Sequence, residues 1–311
     1  MSKLSLPVIV TPTRVELGLR CYRRHVLADI LQRASYYSPS LEFGSVIHAG
    51  AAVWWNNARA DGNVARQLAA GAVVAEWAKR FDANPLLNPG DLTLELALAM
   101  IQSYTKLAEL AGPFAIEDGE WQLVSVEDRL EIPIAGIDAK LSFQPDRVVF
   151  NKRNDHLVVV DTKTAARLDK KWERQWETSL QMKLYKAGAA RAYDIPPENI
   201  DIVVEGVLKD ALSTIKYIVC PDWSASLLAE AGRQAAEIAK RDYALIAYEG
   251  APRDSQLIME DAVNKTALNY MSCFEYGVEC PFRKLCLAEP EERVSLLLAE
   301  YFELKEEDSG Y

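Results

Sequence analysis

Residues 141–164, LSFQPDRVVFNKRNDHLVVVDTKT, read as two apolar strands joined by a short charged turn, NKRND. Asp146 sits in the first strand region, and Asp161 and Lys163 close the second. Side chains of an extended chain alternate between faces, so Asp161 and Lys163 share one. A carboxylate and an ammonium therefore stand together after the apolar run Leu157–Val160. Closing the hairpin brings Asp146 alongside. Two carboxylates beside one lysine at a buried sheet edge are unfavourable unless a cation or phosphate shares the site.

The whole chain sets wide bounds around this stretch. Its 311 residues are half hydrophobic and 26% charged, an ordinary globular balance with ample material for a core. No apolar run is long enough to span a bilayer. The first residues, MSKLSLPVIVTPTR, lack a long apolar segment before a small-residue cleavage site, so a cytoplasmic protein without membrane contact is expected. A net charge of −10 argues against a generally basic coat for nucleic acid, but a local basic channel is compatible with it. Lys and Arg gather between residues 163 and 191, whereas the terminal LKEEDSGY is acidic.

Helical spacing is expected over Arg14–Ala34, with Thr13 and Glu16 in the form of a capping box. A loop, YYSPSLEFG, precedes a second helix from Ser45 that carries His48 early in its length. Further helices are expected over Val64–Phe81 and Leu92–Leu110. From Trp121 the period falls to two, predicting a three-stranded antiparallel meander: WQLVSVEDRLEIPI, IDAKLSFQPDRVVF and HLVVVDTKT. One long helix, KKWERQWETSLQMKLYKAGAARAY, then two strands, DIVVEGVLKD and STIKYIVC, and a helix over Trp223–Ala247 complete the order. This is an α/β pattern: a mixed sheet flanked by helices, with helical segments from both ends. One domain over 1–311 is the expected count, with 55–115 as a candidate helical insertion.

The order of residues resembles the PD-(D/E)XK nuclease superfamily, and within it the RecB-type branch that includes CRISPR-adaptation nucleases. The motif of that branch runs His, Asp, Asp/Glu-x-Lys, Gln-x-x-x-Tyr. The matching positions are His48 in EFGSVIHAG, Asp146 in FQPDRVV, Asp161 and Lys163 in VVVDTKT, and Gln181 with Tyr185 in SLQMKLYKAG. The resemblance implies a restriction-endonuclease-like sheet and a Mg²⁺- or Mn²⁺-dependent DNA exonuclease acting on single strands or duplex ends. Its setting would be recombination, repair or CRISPR adaptation. Asp146, Asp161, His48 and the Thr162 carbonyl would be metal ligands, Lys163 would orient or deprotonate water, and Gln181 and Tyr185 would share a helix face beside the metal or the DNA backbone. Each residue alone has a plainer reading: a surface ion pair, a packed histidine, a core tyrosine, a turn aspartate. Glu127 in SVEDRL is a secondary candidate, since exposed strand charge is the default there. A non-catalytic DNA-binding or scaffolding protein on the same fold is the rival reading. No helicase motif is present, so unwinding would fall to a helicase or recombination partner.

Five cysteines include three close together, Cys273, Cys280 and Cys286, while Cys21 lies in RCYRRHVL and Cys220 follows an apolar strand. The C-terminal trio resembles the iron–sulfur segment of these nucleases, and Cys21 matches its distant fourth ligand. The resemblance implies a [4Fe–4S] cluster held by residues 265–290 and Cys21, joining the two helical ends. Zinc is the competing metal, although structural zinc sites usually show a cysteine pair two to four residues apart. The spacing here is looser than the family's. Arg167, Lys170, Lys171 and Arg174 interleave with Trp172 and Trp176, which suits a single strand if the rings are exposed. Inward packing is the alternative for that pair. Arg20, Arg23 and Arg24 are a second candidate phosphate contact.

Overall fold

Thr11 opens the first helix. Its hydroxyl accepts the Arg14 N–H at 3.3 Å, and Pro12 fills an early helical position where a missing N–H costs nothing. The cap thus sits two residues before the expected Thr13. The structure, a computed structural model, describes residues 8–31, 33–34, 38–58, 61–84, 87–110, 119–212, 214–249, 264, 273–275 and 278–303.

Strand β1 (Val8–Val10) leads into α1 (Pro12–Arg20). The helix expected through Ala34 breaks at Cys21, whose backbone is extended, and resumes as α2 (Tyr22–His25), which widens over Val26–Ile30. Helix α3 (Pro39–Asn57) begins well before Ser45, because Pro39 suits a first turn and pulls SLEFG into the helix. Helices α4 (Gly62–Trp77), capped by the Asp61 carboxylate, and α5 (Leu94–Leu110) follow as expected.

Next come β2 (Trp121–Val126), β3 (Leu130–Pro133), β4 (Ala139–Phe143), β5 (Arg147–Asn151) and β6 (His156–Ala165). The expected meander is corrected here. Glu127, at φ +54°, interrupts its first strand, and the second breaks around Pro145, which has no N–H for a ladder. The halves join different sheets. The expected long helix also divides, into α6 (Lys170–Glu177) and α7 (Leu180–Ala192), because Ser179 caps the second by accepting the Met182 N–H at 3.3 Å. Strands β7 (Ile200–Leu208) and β8 (Ile215–Val219), helix α8 (Ala225–Glu249), and short helices α9 (Arg283–Leu287) and α10 (Arg293–Glu300) complete the description.

The chain divides into two compact units. One comprises Tyr37–Leu130 and Gln144–Ala225. Its five-stranded sheet has the order β2-β5-β6-β7-β8, with β6 and β7 parallel and the other neighbours antiparallel. The mixed sheet flanked by helices matches the expected class. Phe43, Val46, Ile47 and Trp54 of α3 pack with α4, α5 and the sheet residues Val149, Val158, Val160 and Val203 in one core. The other unit comprises Met1–Tyr36, Glu131–Phe143 and Ser226–Tyr311, and contains the sheet β1-β4-β3. Gly18 is needed there: a Cβ would meet Ile238 Cδ1 at 2.9 Å, so α1 lies hard against α8. Its core joins Val26, Leu27 and Ile30 to Phe282, Leu285, Leu297 and Tyr301.

Candidate functional site

The register of β5 against β6 decides which acids meet. Arg147 pairs with Val160, so Asp146 falls beside Asp161 just past the end of the ladder. Alternation along β6 then sorts the side chains. Val158 and Val160 enter the helix-covered core, and Thr162 continues that face, its hydroxyl donating to Glu205 at 2.9 Å. Asp161 and Lys163 take the other face and form an ion pair, Nζ to Oδ2 2.9 Å. The predicted side-by-side placement of these two therefore holds.

Helix α3 brings the histidine. Gly44 and His48 are four residues apart and share a helix face. Gly44 lies against Thr164, whose Oγ1 would be 3.2 Å from a Cβ. That close approach carries His48 to Asp146, where Nδ1 donates to Oδ1 at 2.8 Å. The second oxygen of Asp146 accepts the backbone N–H of Thr162. Thr162 is thus beside the site through its main chain, while its side chain serves the interior.

One member of this constellation carried only a weak signal. His48, Glu127 and Asp146 offer ligand atoms that all lie within 4.8 Å of one another. In the sequence Glu127 looks like an exposed strand charge; its left-handed backbone, φ +54°, is what turns it to the site. Gln181 and Tyr185 do share a face, the Gln181 amide donating to the Tyr185 hydroxyl at 3.2 Å. The hydroxyl in turn reaches the Gln144 carbonyl at 3.4 Å.

Burial and close neighbours shift the titration of each group at the site. Burial disfavours charge on His48, but the Asp146 carboxylate outweighs it and raises the imidazole to about 9. Burial likewise works against the Asp146 carboxylate, yet His48, Lys163 and the Thr162 N–H hold it below the usual range. Burial first, and Asp146 second, push Glu127 up to about 7. Burial also raises Asp161. Asp161 is buried, and its Oδ2 meets Lys163 Nζ at 2.9 Å. The His48 imidazole and the carboxylates of Glu127 and Asp146, with that of Asp161 alongside, fit a hard or borderline divalent cation.

Behind the site lies a network that the sequence scan passed over. Arg147 and Glu205, both fully buried, form a bidentate pair at 2.6 and 3.0 Å. The Glu205 carboxylate also accepts from Tyr104 at 2.9 Å, and Tyr104 accepts the Trp55 indole N–H at 2.8 Å. The Arg147 guanidinium stacks over Trp55, 4.3 Å from the ring centroid. A signal was available: Glu205 is the one acid in the apolar run IVVEGVL of that strand.

The structure bears on two sets of expected nucleic-acid contacts: Arg167, Lys170, Lys171, Arg174 and Arg20 are exposed, while the rings of Trp172 and Trp176 are half-buried. Trp172 rests on the sheet at Gly206, where a Cβ would collide with its ring and lie 2.7 Å from Leu168 Cδ2. Trp176 meets Trp172 edge-on at 5.6 Å. Among the cations of α2, Arg23 is buried and hydrogen-bonds to Cys286, so it does not lie on a solvated face.

The four cysteines singled out belong to the second unit. The Cys280 N–H donates to the Cys273 carbonyl at 2.8 Å, and Cys286 follows on α9. Burial raises the thiols of Cys280 and Cys286, and each also feels Cys21 and a neighbouring thiol of the trio. All four are free thiols. Cys220, buried just after β8, belongs to the first unit; burial first, then Asp161, pushes it up to about 12.

Residues 9–286 match the family model of the PD-(D/E)XK nuclease superfamily. The chain belongs to that superfamily. PD-(D/E)XK nucleases typically use divalent metals, which agrees with the donor set gathered around Asp146. No curated protein matches the chain. Among solved structures, it is similar to a candidate exonuclease from Eubacterium rectale, at 12% identity and a TM-score of 0.44, covering 86% of this chain and 93% of that one. It is also similar to the protein named SSO0001, at 14% identity and a TM-score of 0.35, covering 81% and 82%. Both likenesses are too loose to bear on activity. Among the described residues no helix is long and apolar enough to cross a membrane.

Proposed function

We propose that this PD-(D/E)XK nuclease is an exonuclease of the RecB type that hydrolyses DNA ends or single strands with Mg²⁺ or Mn²⁺. The observation that carries the reading is the convergence of His48 and Asp146 at 2.8 Å beside the Asp161–Lys163 ion pair at 2.9 Å. His48, Asp146 and Asp161 would hold the cation, with the Thr162 main chain beside them. Bound there, the cation neutralises phosphate oxygens and acidifies water. Lys163 lies on the Asp161 face, placed to orient that water or take its proton and to offset charge developing on phosphate. Tyr185 and Gln181 share a helix face and are tied to the Gln144 carbonyl, two residues before Asp146. The test is end-labelled single- and double-stranded DNA with added Mn²⁺ or Mg²⁺, read for products over time. Stepwise loss of terminal nucleotides, abolished by chelation and by Lys163→Ala, is the expected result. Equal digestion by wild type and Lys163→Ala would overturn it, and binding without cleavage would favour a scaffolding role.

A [4Fe–4S] cluster held by Cys21, Cys273, Cys280 and Cys286 is part of the same proposal. Mutually interacting thiols fit four thiolate ligands, and Arg23 and Arg24 beside them suit the negative charge those ligands carry. Within its unit the cluster would join the α1–α2 break to the α9 segment.

A further inference from the structure

Lys209 follows β7 directly, and its N–H donates to the Ala165 carbonyl at the end of β6, 2.8 Å away. Its ammonium meets neutral groups. Nζ donates to the Ser40 carbonyl at 3.0 Å and to the Ser40 hydroxyl at 2.5 Å, and lies 5.8 Å from the centre of the Phe43 ring. Among the described residues it pairs with no acid, whereas Lys163, Lys186 and Lys216 each hold a carboxylate. Burial alone shifts it, down to about 8. A partly desolvated ammonium among neutral oxygens carries a cost that an anion from solution would offset.

The fold places that cation in line with the candidate site. Strands β6 and β7 run parallel, with Lys163 beside Gly206 and Ala165 beside Leu208. Lys209 thus leaves the sheet at the carboxyl end of this pair, the end at which ligands of parallel strands bind. Ser40, Gly44 and His48 recur every fourth residue on one face of α3. Ser40 meets Lys209, Gly44 lies against Thr164, and His48 meets Asp146. From Ser40 to His48 the helix rises about 12 Å. That distance corresponds to a few nucleotides, at about 3.4 Å per step along one strand of a duplex. Ser40 is exposed, and Arg167, Lys170 and Lys171, also exposed, follow β6 at the same end of the sheet.

We infer that Lys209 binds a backbone phosphate of the DNA strand a few nucleotides from the bond that is cut, and so fixes how the strand crosses the carboxyl ends of β6 and β7. This rests on the nuclease reading above. A contact of this kind positions the strand and carries no base preference.

The test is binding of a fluorescent single-stranded oligonucleotide to the full-length protein over a range of salt, with EDTA present so that nothing is cut. Lys209→Gln is expected to weaken binding several-fold and to reduce the slope of log K against log salt by about 0.7, the share of one phosphate contact on a single strand. Lys209→Arg keeps the charge and should keep the slope. Lys152→Gln, in the turn at the opposite end of β6, is the control for lost charge. Neutral methylphosphonate linkages, introduced one at a time, locate the contact. At one linkage, a few nucleotides from the cut, wild type should lose affinity and Lys209→Gln should not. If Lys209→Gln matches Lys152→Gln in affinity and slope, or shares wild type's response at every linkage, while wild type cuts DNA, the inference fails and the nuclease reading stands. If the linkage pattern appears but wild type cuts nothing with Mn²⁺ or Mg²⁺, the nuclease reading fails and the phosphate contact stands. If wild type binds no DNA, both fail.

Discussion

Arg147 and Glu205 face each other as a fully buried bidentate ion pair, 2.6 and 3.0 Å, directly behind the strand that carries Asp161 and Lys163. Arg147 follows Asp146 in sequence, and Glu205 holds the hydroxyl of Thr162, which lies between Asp161 and Lys163. The pair thus pins the two candidate-site strands to one another from the protein side. Burial alone would raise the Glu205 carboxyl, but Arg147 and its other donors keep it below the usual range.

Removing one partner leaves a buried charge uncompensated. Glu205→Ala and Arg147→Ala should each lower stability by about 3–5 kcal/mol in urea unfolding, whereas the paired change Arg147→Met with Glu205→Leu should cost clearly less than the sum of the single changes. Additive costs would show that the pair does not act as a unit.

Lys163→Ala should leave the fold intact, because Lys163 is partly exposed and lies outside the core. Its effect belongs to turnover: DNA hydrolysis should fall by about 10²–10⁴-fold, the range of a positioned proton-transfer group. Circular dichroism and the DNA end-product assay measure the two halves of this expectation.

His25 offers a pH dependence free of the metal site. It lies buried between Asp242, at 2.9 Å, and Asp29, at 2.8 Å, with Arg14 beside Asp29 and Tyr22 donating to Asp242. Burial lowers its affinity for a proton, but the two aspartates win and raise it to about 9. A folded pKa above the ordinary 6.5 means that this stabilisation is fully present below pH 6.5 and is lost as pH rises through about 9. Urea unfolding at pH 6 and pH 9.5 should differ by up to about 3 kcal/mol from this group, and His25→Gln should remove that difference.

Gly206→Ala tests the placement of Trp172. The added methyl would collide with the indole and with Leu168, so a loss of about 1–3 kcal/mol is expected from overpacking. In a Trp172→Ala background the same change should cost much less. Equal costs in both backgrounds would mean that Trp172 does not rest on Gly206.

Cys280→Ala is the variant that reads the proposed cluster. Protein prepared without oxygen should lose its visible absorption and iron, and the thermal midpoint should fall as a folding-coupled ligand set is broken. Cys220→Ala, at the buried end of β8, should retain both colour and iron. Colour and iron retained in Cys280→Ala would remove that cysteine from the ligand set.

The sequence by itself determined the α/β class, most helices and strands, and the pairing of Asp161 with Lys163. Those features depend on periods of two and 3.6 residues, which are local. It also placed His48, Gln181 and Tyr185 on helices, whereas Asp146, expected within a strand, lies in the bend just before β5. What it did not carry was decided by contacts between residues far apart in the chain. The split of the expected meander into two sheets follows from a left-handed Glu127 and a Pro145 break, and only the register across β5 and β6 shows where the halves go. Trp172 has the same sequence context whether it faces solvent or Gly206, so only packing could choose between them. The carboxylate of Glu127 reaches His48 and Asp146 because Gln144 holds it there, and that bond spans two strand ends. Propensity and periodicity set the elements; the tertiary hydrogen bonds set which acids share one charge problem.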